Sequence, residues 1–436
     1  MPLPKTITPK GTLNAVVTPP GSKSMTNRAL ILAALANGQT TLTGALASED
    51  TQVMFDALAQ LGLTLDWDTE QCRIGIHGLG GRFPHQQADI YVGNSGTTAR
   101  FLTAMLAFAD GDYRIHGKPR MHQRPIRDLV EVLKTLGGNV TYEAEEGFPP
   151  LRIKKPADIP AVCRLPSAVS ISGSVSSQFL TALLLASPLA ARKSDVEMNV
   201  SGELVSKPYI DMTLRMMQSF GISVETDAFR SFLVTKEAIY QSPGVYAIEP
   251  DASAASYFLA AAAICGGSVT VQGLSKNSLQ GDVAFAECLE QMNCEVMWGE
   301  NFITACRPSE RPLRGISVDM NSISDTAQTL AVVALFAEGA TDIRNIDHVR
   351  YKETDRIADL ATELRRLGAA VEERRDGLRI IPPETLSPAT VKTYDDHRMA
   401  MCFAIAGLRL PGVTIGDPDC TKKTFPEFFE MLERLS

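Results

Sequence analysis

Apolar residues recur along this chain in six stripes of helical spacing. They are Met54-Ala57-Leu58-Leu61, Leu129-Val132-Leu133-Leu136, Met216-Met217-Phe220, Phe285-Cys288-Leu289-Met292, Leu360-Leu364-Leu367 and Phe428-Met431-Leu432-Leu435. Most follow the i, i+3, i+4, i+7 rule of an amphipathic helix with one buried face. Their last apolar positions are 61, 136, 220, 292, 367 and 435, so the steps are 75, 84, 72, 75 and 68 residues. A recurrence of that size predicts a repeated supersecondary unit.

A second, more uniformly apolar helix is predicted ahead of each stripe. Examples run from Asn27 to Gly38, Ser253 to Gly267, Asp325 to Gly339 and Asp396 to Gly412. Each leads through glycine, read as a left-handed helix cap, into a short β-branched run such as Thr40-Thr41-Leu42-Thr43 or Val269-Thr270-Val271. Further strand-like runs follow the stripe, among them Asn139-Val140-Thr141-Tyr142 and Ala370-Val371-Glu372. Each unit therefore reads strand, helix, strand, helix, strand, strand. Six such units predict an α/β (α+β) architecture.

The sixth copy runs into Ser436 without trailing strands, while Thr12-Leu13-Asn14-Ala15-Val16-Val17 precedes the first helix. The simplest arrangement lets the N-terminal segment supply the strands the last copy lacks. That predicts three copies in each of two domains, one of residues 21–248 and one joining 1–20 to 249–436. The chain would cross between them near 19–21 and 244–250, a double hinge suited to closing on a ligand.

Composition narrows the function. The chain of 436 residues carries a net charge of -8, which argues against a general nucleic-acid binder. No apolar run is long enough to span a membrane, and the start Met1-Pro2-Leu3-Pro4 lacks the apolar core of a signal peptide. Eight cysteines lie scattered without metal-ligand or disulfide spacing, as in a reduced cytoplasmic protein with no metal site.

Candidate chemistry collects at the starts of the first helices. These read Gly21-Ser22-Lys23-Ser24 to Arg28, Gly93-Asn94-Ser95-Gly96-Thr97 to Arg100, and Ser174-Val175-Ser176-Ser177-Gln178. The later copies open with Asp251, Asp325 and Asp395-Asp396-His397-Arg398. Helix N-termini attract anions, small residues let a phosphate approach, and Lys or Arg adds full charge. The simplest reading of Asp251 is a helix cap. Three more stretches concentrate charge: Lys118 to Pro125, a proline-bracketed basic loop; Lys352-Glu353-Thr354-Asp355-Arg356; and Asp417 to Thr424. Six converging helix starts would suit a small, multiply anionic substrate.

Taken together, these stretches resemble the enolpyruvyl transferases, in the branch that acts on shikimate 3-phosphate. The matching words are Pro20-Gly21-Ser22-Lys23-Ser24, Asn27-Arg28, Gly93-Asn94, Gly96-Thr97, Arg100, Arg124-Pro125-Ile126 and Ser176-Ser177-Gln178. They continue with Ser206-Lys207-Pro208-Tyr209, Lys352-Glu353-Thr354-Asp355-Arg356, Asp396-His397-Arg398 and Lys423-Thr424-Phe425-Pro426. They fall in family order along the whole chain.

The resemblance implies a pair of inside-out α/β barrels. It implies transfer of the enolpyruvyl group of phosphoenolpyruvate to the 5-hydroxyl of shikimate 3-phosphate, by a monomer without metal or organic cofactor. By position, it implies a phosphoenolpyruvate site of Lys23, Asn94, Gly96, Thr97, Arg100, Arg124, Gln178, Arg356, Arg398 and Lys423. Shikimate 3-phosphate would meet Lys23, Ser24, Arg28, Ser176, Ser177, Gln178, Ser206, Tyr209, Asp325, His348 and Lys352. Asp325 would take the hydroxyl proton, and Glu353 and Lys23 would serve the enol carbon and the departing phosphate. His397 would support Glu353. Phe101 stands where proline is familiar, His122-Gln123 where a Lys-Glu pair is familiar, and His348 where asparagine often stands.

Two other readings fit less well. The sister family acting on UDP-N-acetylglucosamine usually carries a reactive Cys on a loop of the first-half domain, and no Cys stands between Cys72 and Cys163. A non-catalytic sugar-phosphate sensor gains nothing from two acids, Asp325 and Glu353, beside phosphates.

Overall fold

The computed structural model describes residues 3–155, 168–191, 194–308 and 310–436. The described residues form twelve α-helices, two per copy. They are α1 (Lys23–Leu35) and α2 (Glu49–Gln60), α3 (Gly96–Leu106) and α4 (Arg127–Thr135), α5 (Ser177–Ala190) and α6 (Lys207–Ser219). The second half adds α7 (Ala252–Cys265) and α8 (Phe285–Gln291), α9 (Ala327–Ala334) and α10 (Arg356–Arg366), α11 (His397–Gly407) and α12 (Phe428–Glu433). The chain divides into two compact units, a continuous one of 21–248 and a split one of 1–20 with 249–436.

Five of the six stripe helices end the same way. Gly62, Gly137, Gly221 and Gly368 follow α2, α4, α6 and α10 with positive φ, and Asn293 does so after α8. The next residue's N–H then reaches five residues back, as in Leu63 N to Leu58 O at 3.3 Å and Cys294 N to Leu289 O at 2.9 Å. These are Schellman caps, and asparagine is the side chain that best tolerates the left-handed position where glycine is absent. The glycines after the first helices behave differently. Gly38, Gly339 and Gly412 also have positive φ, but α1, α9 and α11 stop at 35, 334 and 407, several residues earlier. They serve the entry to the next strand and are not helix caps.

The first helices are buried on every side, so their sequences read apolar all round. All fourteen residues of α7 are buried. In the continuous unit α1, α3 and α5 pack against one another, and in the split unit α7, α9 and α11 do. Their starts are level: Arg28 is the sixth residue of α1 and touches Phe101, the sixth of α3, and Thr181, the fifth of α5. In the split unit Ser256 of α7 meets Thr329 of α9, and Arg398 of α11 meets Ser253 of α7. Three parallel helices thus begin at one end of each unit. In the split unit Phe258, Phe425 and Phe428 pack with ring centroids 5.6–6.4 Å apart. That cluster fixes α12, and with it Lys423 two residues before Phe425, against α7.

The sheets repeat one pattern. The strand before the first helix pairs in parallel with the strand after it. That strand pairs antiparallel with the last strand of the copy, which pairs antiparallel with the remaining one. Copy two shows it as Gln87–Tyr91, Asp112–His116, Leu151–Lys154 and Asn139–Tyr142. Ile90, Ile115 and Leu151 stand in one register row and are fully buried, so this face packs inward.

Two strands come from unexpected places. The strand Leu13–Val17 does not complete the sixth copy. It pairs in parallel with Gly267–Gln272, as the leading strand of copy four. The sixth copy instead receives Lys5–Thr6, antiparallel to Thr414–Ile415. The leading strand of copy one is Val245–Ala247, parallel to Asn37–Thr43. Local sequence could not assign these partners, because a strand's pattern fixes which face is buried and not which edge it joins.

Candidate active site

In the continuous unit the buried cations gather at the helix starts. Ser22 caps α1, accepting from Met25 N, and sets Lys23 as its first residue. No acid occupies that first turn, so the lysine charge stands against the positive end of the helix, a placement that opposes stability. Its ammonium lies 3.5 Å from Asp50, a buried carboxylate in the first turn of α2 that the sequence reading missed. Ser24 offers its carbonyl to Arg28 Nη1 at 2.9 Å. Arg28 also donates to Thr213 Oγ1 at 2.8 Å and Thr181 Oγ1 at 3.4 Å. The rings of Phe101 and Tyr209 flank it at 5.4 and 5.7 Å. Burial pushes this guanidinium down to about 10, with the Tyr209 phenol opposing. Its hydrogen-bond partners among the described residues are all neutral oxygens.

The second group surrounds Gly96. Ser95 caps α3 through Thr98 N at 3.3 Å. Arg100 Nη1 donates to Gly96 O at 3.0 Å and Nη2 to Pro125 O at 2.9 Å. Arg124 leaves the short 3₁₀ turn Met121–Gln123 of the basic loop and donates to Asn94 O at 2.9 Å. A methyl group on Gly96 would collide with both guanidinium groups, so glycine here lets two arginines meet one helix start. Thr97 is buried beside them. Ser176 caps α5 through Gln178 N at 3.2 Å, and Ser177 and Gln178 open that helix. Ser206, at φ 54, stands at the residue before α6. Phe101 is fully buried, and its ring lies under Arg28, so this departure from the family pattern carries a contact between α1 and α3.

In the split unit the charges form one connected chain. Arg356 Nε donates to Asp396 Oδ2 at 2.7 Å, Nη1 to Asp325 Oδ1 at 3.1 Å and Nη2 to Glu353 Oε2 at 2.8 Å. Burial opposes the Arg356 charge, but the three carboxylates outweigh it and hold the guanidinium well above its usual range. Arg398 Nη2 donates to Asp325 Oδ2 at 2.8 Å, and Lys352 stands 3.9 Å from Asp325 Oδ1. Lys423 Nζ donates to Glu353 Oε1 at 2.7 Å.

The acids at the three helix starts divide their work. Asp251 caps α7 through Ala254 N at 2.8 Å, as expected. Asp396 caps α11 through Arg398 N and also holds Arg356. Asp325 is not a cap. It lies in the 3₁₀ segment Asn321–Thr326, and its carboxylate is taken by two guanidiniums. His397 is fully buried, 3.7 Å from Asp396. Asp396 in turn accepts from Arg356, which also donates to Glu353. His348 meets Ser324 Oγ at 2.9 Å, and burial, with Lys352 next, pushes its imidazole down to about 4, so it is neutral at physiological pH. Residues the sequence reading missed here are Ser253, Asp282 and Tyr257. Tyr257 sits in α7 beside Arg398, and burial raises its phenol so that it stays neutral. Nothing in their local sequence distinguishes them from ordinary helix-start and core residues.

The seven cysteines among the described residues are free thiols, and Cys163 lies outside those residues. Burial pushes Cys265 up to about 11 and Cys288 and Cys294 up to about 12, so these are inert. No helix among the described residues is long and apolar enough to cross a membrane.

The sequence profile described as EPSP synthase (3-phosphoshikimate 1-carboxyvinyltransferase) matches residues 7–432. The chain belongs to the EPSP synthase family. Relatives named 3-phosphoshikimate 1-carboxyvinyltransferase agree with it along nearly their whole length. The one from Herminiimonas arsenicoxydans is 49% identical over 97% of this chain and 95% of its own. The one from Burkholderia vietnamiensis is 50% identical over 98% of both. A solved EPSP synthase from Acinetobacter baumannii superposes with a TM-score of 0.80 and 26% identity over 99% of this chain and 98% of that one. The family's α/β fold is therefore the fold of this chain.

Proposed function

We infer that the protein transfers the enolpyruvyl group of phosphoenolpyruvate to the 5-hydroxyl of shikimate 3-phosphate, releasing phosphate, in aromatic amino acid biosynthesis. The observation that carries this reading is the pairing of buried cations with two well-placed acids. Two substrates bring two phosphates and two carboxylates, and Lys23, Arg28, Arg100, Arg124, Arg356, Arg398 and Lys423 supply the opposing charge. Asp325 and Glu353 are held among these cations, where an anion binder alone would have no use for them.

In the proposed sequence Asp325 takes the 5-hydroxyl proton as the hydroxyl oxygen bonds to C2 of phosphoenolpyruvate. The double-bond electrons take a proton at C3 from Glu353 or Lys23, giving a tetrahedral adduct. Elimination returns a C3 proton to the protein, reforms the double bond and breaks the C2–O bond to phosphate; the departing phosphate takes up a proton to balance the one Asp325 removed from the hydroxyl, so each side chain ends in its starting state, and the cations offset the remaining negative charge. Every proton is accounted for by these side chains. His348, neutral and bonded to Ser324, offers a hydrogen bond and no charge. The reading includes a monomer working in the cytoplasm. The test is phosphate release from the two substrates together. Release with UDP-N-acetylglucosamine in place of shikimate 3-phosphate, or binding without turnover, would overturn it.

We also propose that the two units move together on binding. Ser176 and Tyr209 belong to one, Asp325 and Lys352 to the other, and one substrate is proposed to use all four. Shikimate 3-phosphate alone is expected to lower the radius of gyration measured by small-angle scattering. An unchanged radius at saturating ligand rejects the double hinge near 19–21 and 244–250.

A further inference from the structure

Asp282 is a buried carboxylate that neither the sequence reading nor the proposed mechanism uses. It lies in the 3₁₀ turn Gly281–Ala284 ahead of α8. That turn is tied to the start of α7: Gln280 Oε1 accepts from Ala252 N at 3.1 Å, and Gln280 Nε2 donates to Pro250 O at 2.7 Å. The Gln280 side chain thus ties this turn to the backbone on either side of Asp251.

Its contacts lead to the reacting groups. Arg398 Nη2 donates to Asp325 Oδ2 at 2.8 Å and, more weakly, to Ser253 Oγ at 3.4 Å. An arginine only donates, so the Ser253 oxygen accepts there and its own proton must point elsewhere. It points to Asp282 Oδ2, which it meets in a short hydrogen bond. Donation therefore runs outward from Arg398, to Asp325 on one side and through the Ser253 hydroxyl to Asp282 on the other. The charged groups around Asp282 are Asp325 from the 3₁₀ segment before α9, Asp251 from the start of α7 and Arg398 from α11.

We propose that Asp282 is a positioning residue for the transfer reaction, orienting Arg398 through the Ser253 hydroxyl and setting by its own charge how readily Asp325 takes a proton. The proposal rests on the reading of Asp325 as the base. Burial first, and then the nearby Asp325 charge, push the Asp282 carboxyl up to about 7. Above that pH it is ionised, and a second negative charge beside Asp325 favours proton uptake there. Below it, Asp282 is neutral and that help is withdrawn. Turnover is therefore expected to fall as pH drops through about 7.

The test is a kcat–pH profile for the parent, Asp282→Asn, Asp282→Glu and Ser253→Ala. Asp282→Asn is expected to lower kcat at pH 8 by about tenfold, with a smaller change in KM. Its profile should lose the acid limb near 7, and Asp282→Glu should restore that limb. Ser253→Ala should lower kcat while keeping the limb, since Asp282 still titrates. A merely structural role would shift melting temperature and leave the shape of the profile alone. An Asp282→Asn enzyme with the parent's limb overturns the proposal. If that variant does not fold, a Ser253→Ala enzyme with parental kcat at every pH overturns it instead. Asp325→Asn separates the two ideas: parental turnover there removes the base itself, whereas lost turnover there with an unchanged Asp282→Asn profile removes only the role of Asp282.

Discussion

Lys23→Met is expected to lower kcat/KM by two to three orders of magnitude while the protein stays folded. The side chain is largely buried at the first position of α1, with its ammonium 3.5 Å from Asp50. The proposed role is direct contact with both substrates. Truncating one partner of a desolvated charge pair costs about 2–5 kcal/mol, which corresponds to roughly 30- to 5,000-fold. The fold has independent support. Ser22 still caps the helix, Asp50 keeps the favourable field at the start of α2, and methionine fills the space of the lysine stem. Removing a cation from a helix N-terminus also relieves an unfavourable placement. Steady-state kinetics with thermal melting decides the matter. Activity within tenfold of the parent, at an unchanged melting temperature, rules out the role assigned to Lys23.

Asp325→Asn and Glu353→Gln are expected to reduce kcat by about two to four orders of magnitude, the range of a lost general acid or base. Substrate affinity should change far less, and in one direction. Asp325 balances Arg356, Arg398 and Lys352, while Glu353 balances Arg356 and Lys423. Neutralising either acid leaves the cluster one unit more positive, which favours binding of anionic substrates. The amides keep the shape, but each offers one accepting oxygen where the carboxylate offers two, so one of the two cation bonds at each site is lost while the other is kept. Calorimetric titration with shikimate 3-phosphate, set beside kcat, separates the effects. A raised KM with unchanged kcat would show that the acid serves binding and not proton transfer.

Much of the architecture was legible because it rests on local rules. The stripe helices end where a left-handed residue is required, so Gly62, Gly137, Gly221 and Gly368 mark their C-termini in the sequence. Asn293 does the same work in the copy without glycine. The first helices read as apolar throughout because they are buried throughout. Candidate cations were legible for a related reason: a lysine or arginine among small residues at a helix start has no packing role to explain it. Asp251 could be assigned as a cap because capping is a bond between neighbours in the chain.

Tertiary structure decided whatever depends on partners far apart in sequence. Leu13–Val17 and Val245–Ala247 carry ordinary strand patterns, and only the closed units show that each leads a copy other than the one it adjoins. Asp325 and Asp396 look equally like caps, yet Asp396 caps and Asp325 instead receives Arg356 and Arg398 from 31 and 73 residues away. Asp50 and Asp282 gave no signal at all, since a single acid at a helix start is common and only burial makes its charge consequential. The sequence by itself determined the repeated unit, its helix ends and the stock of charges. Folding determined which of those charges meet, because Coulomb interactions and hydrogen bonds depend on distance in space and are blind to distance along the chain.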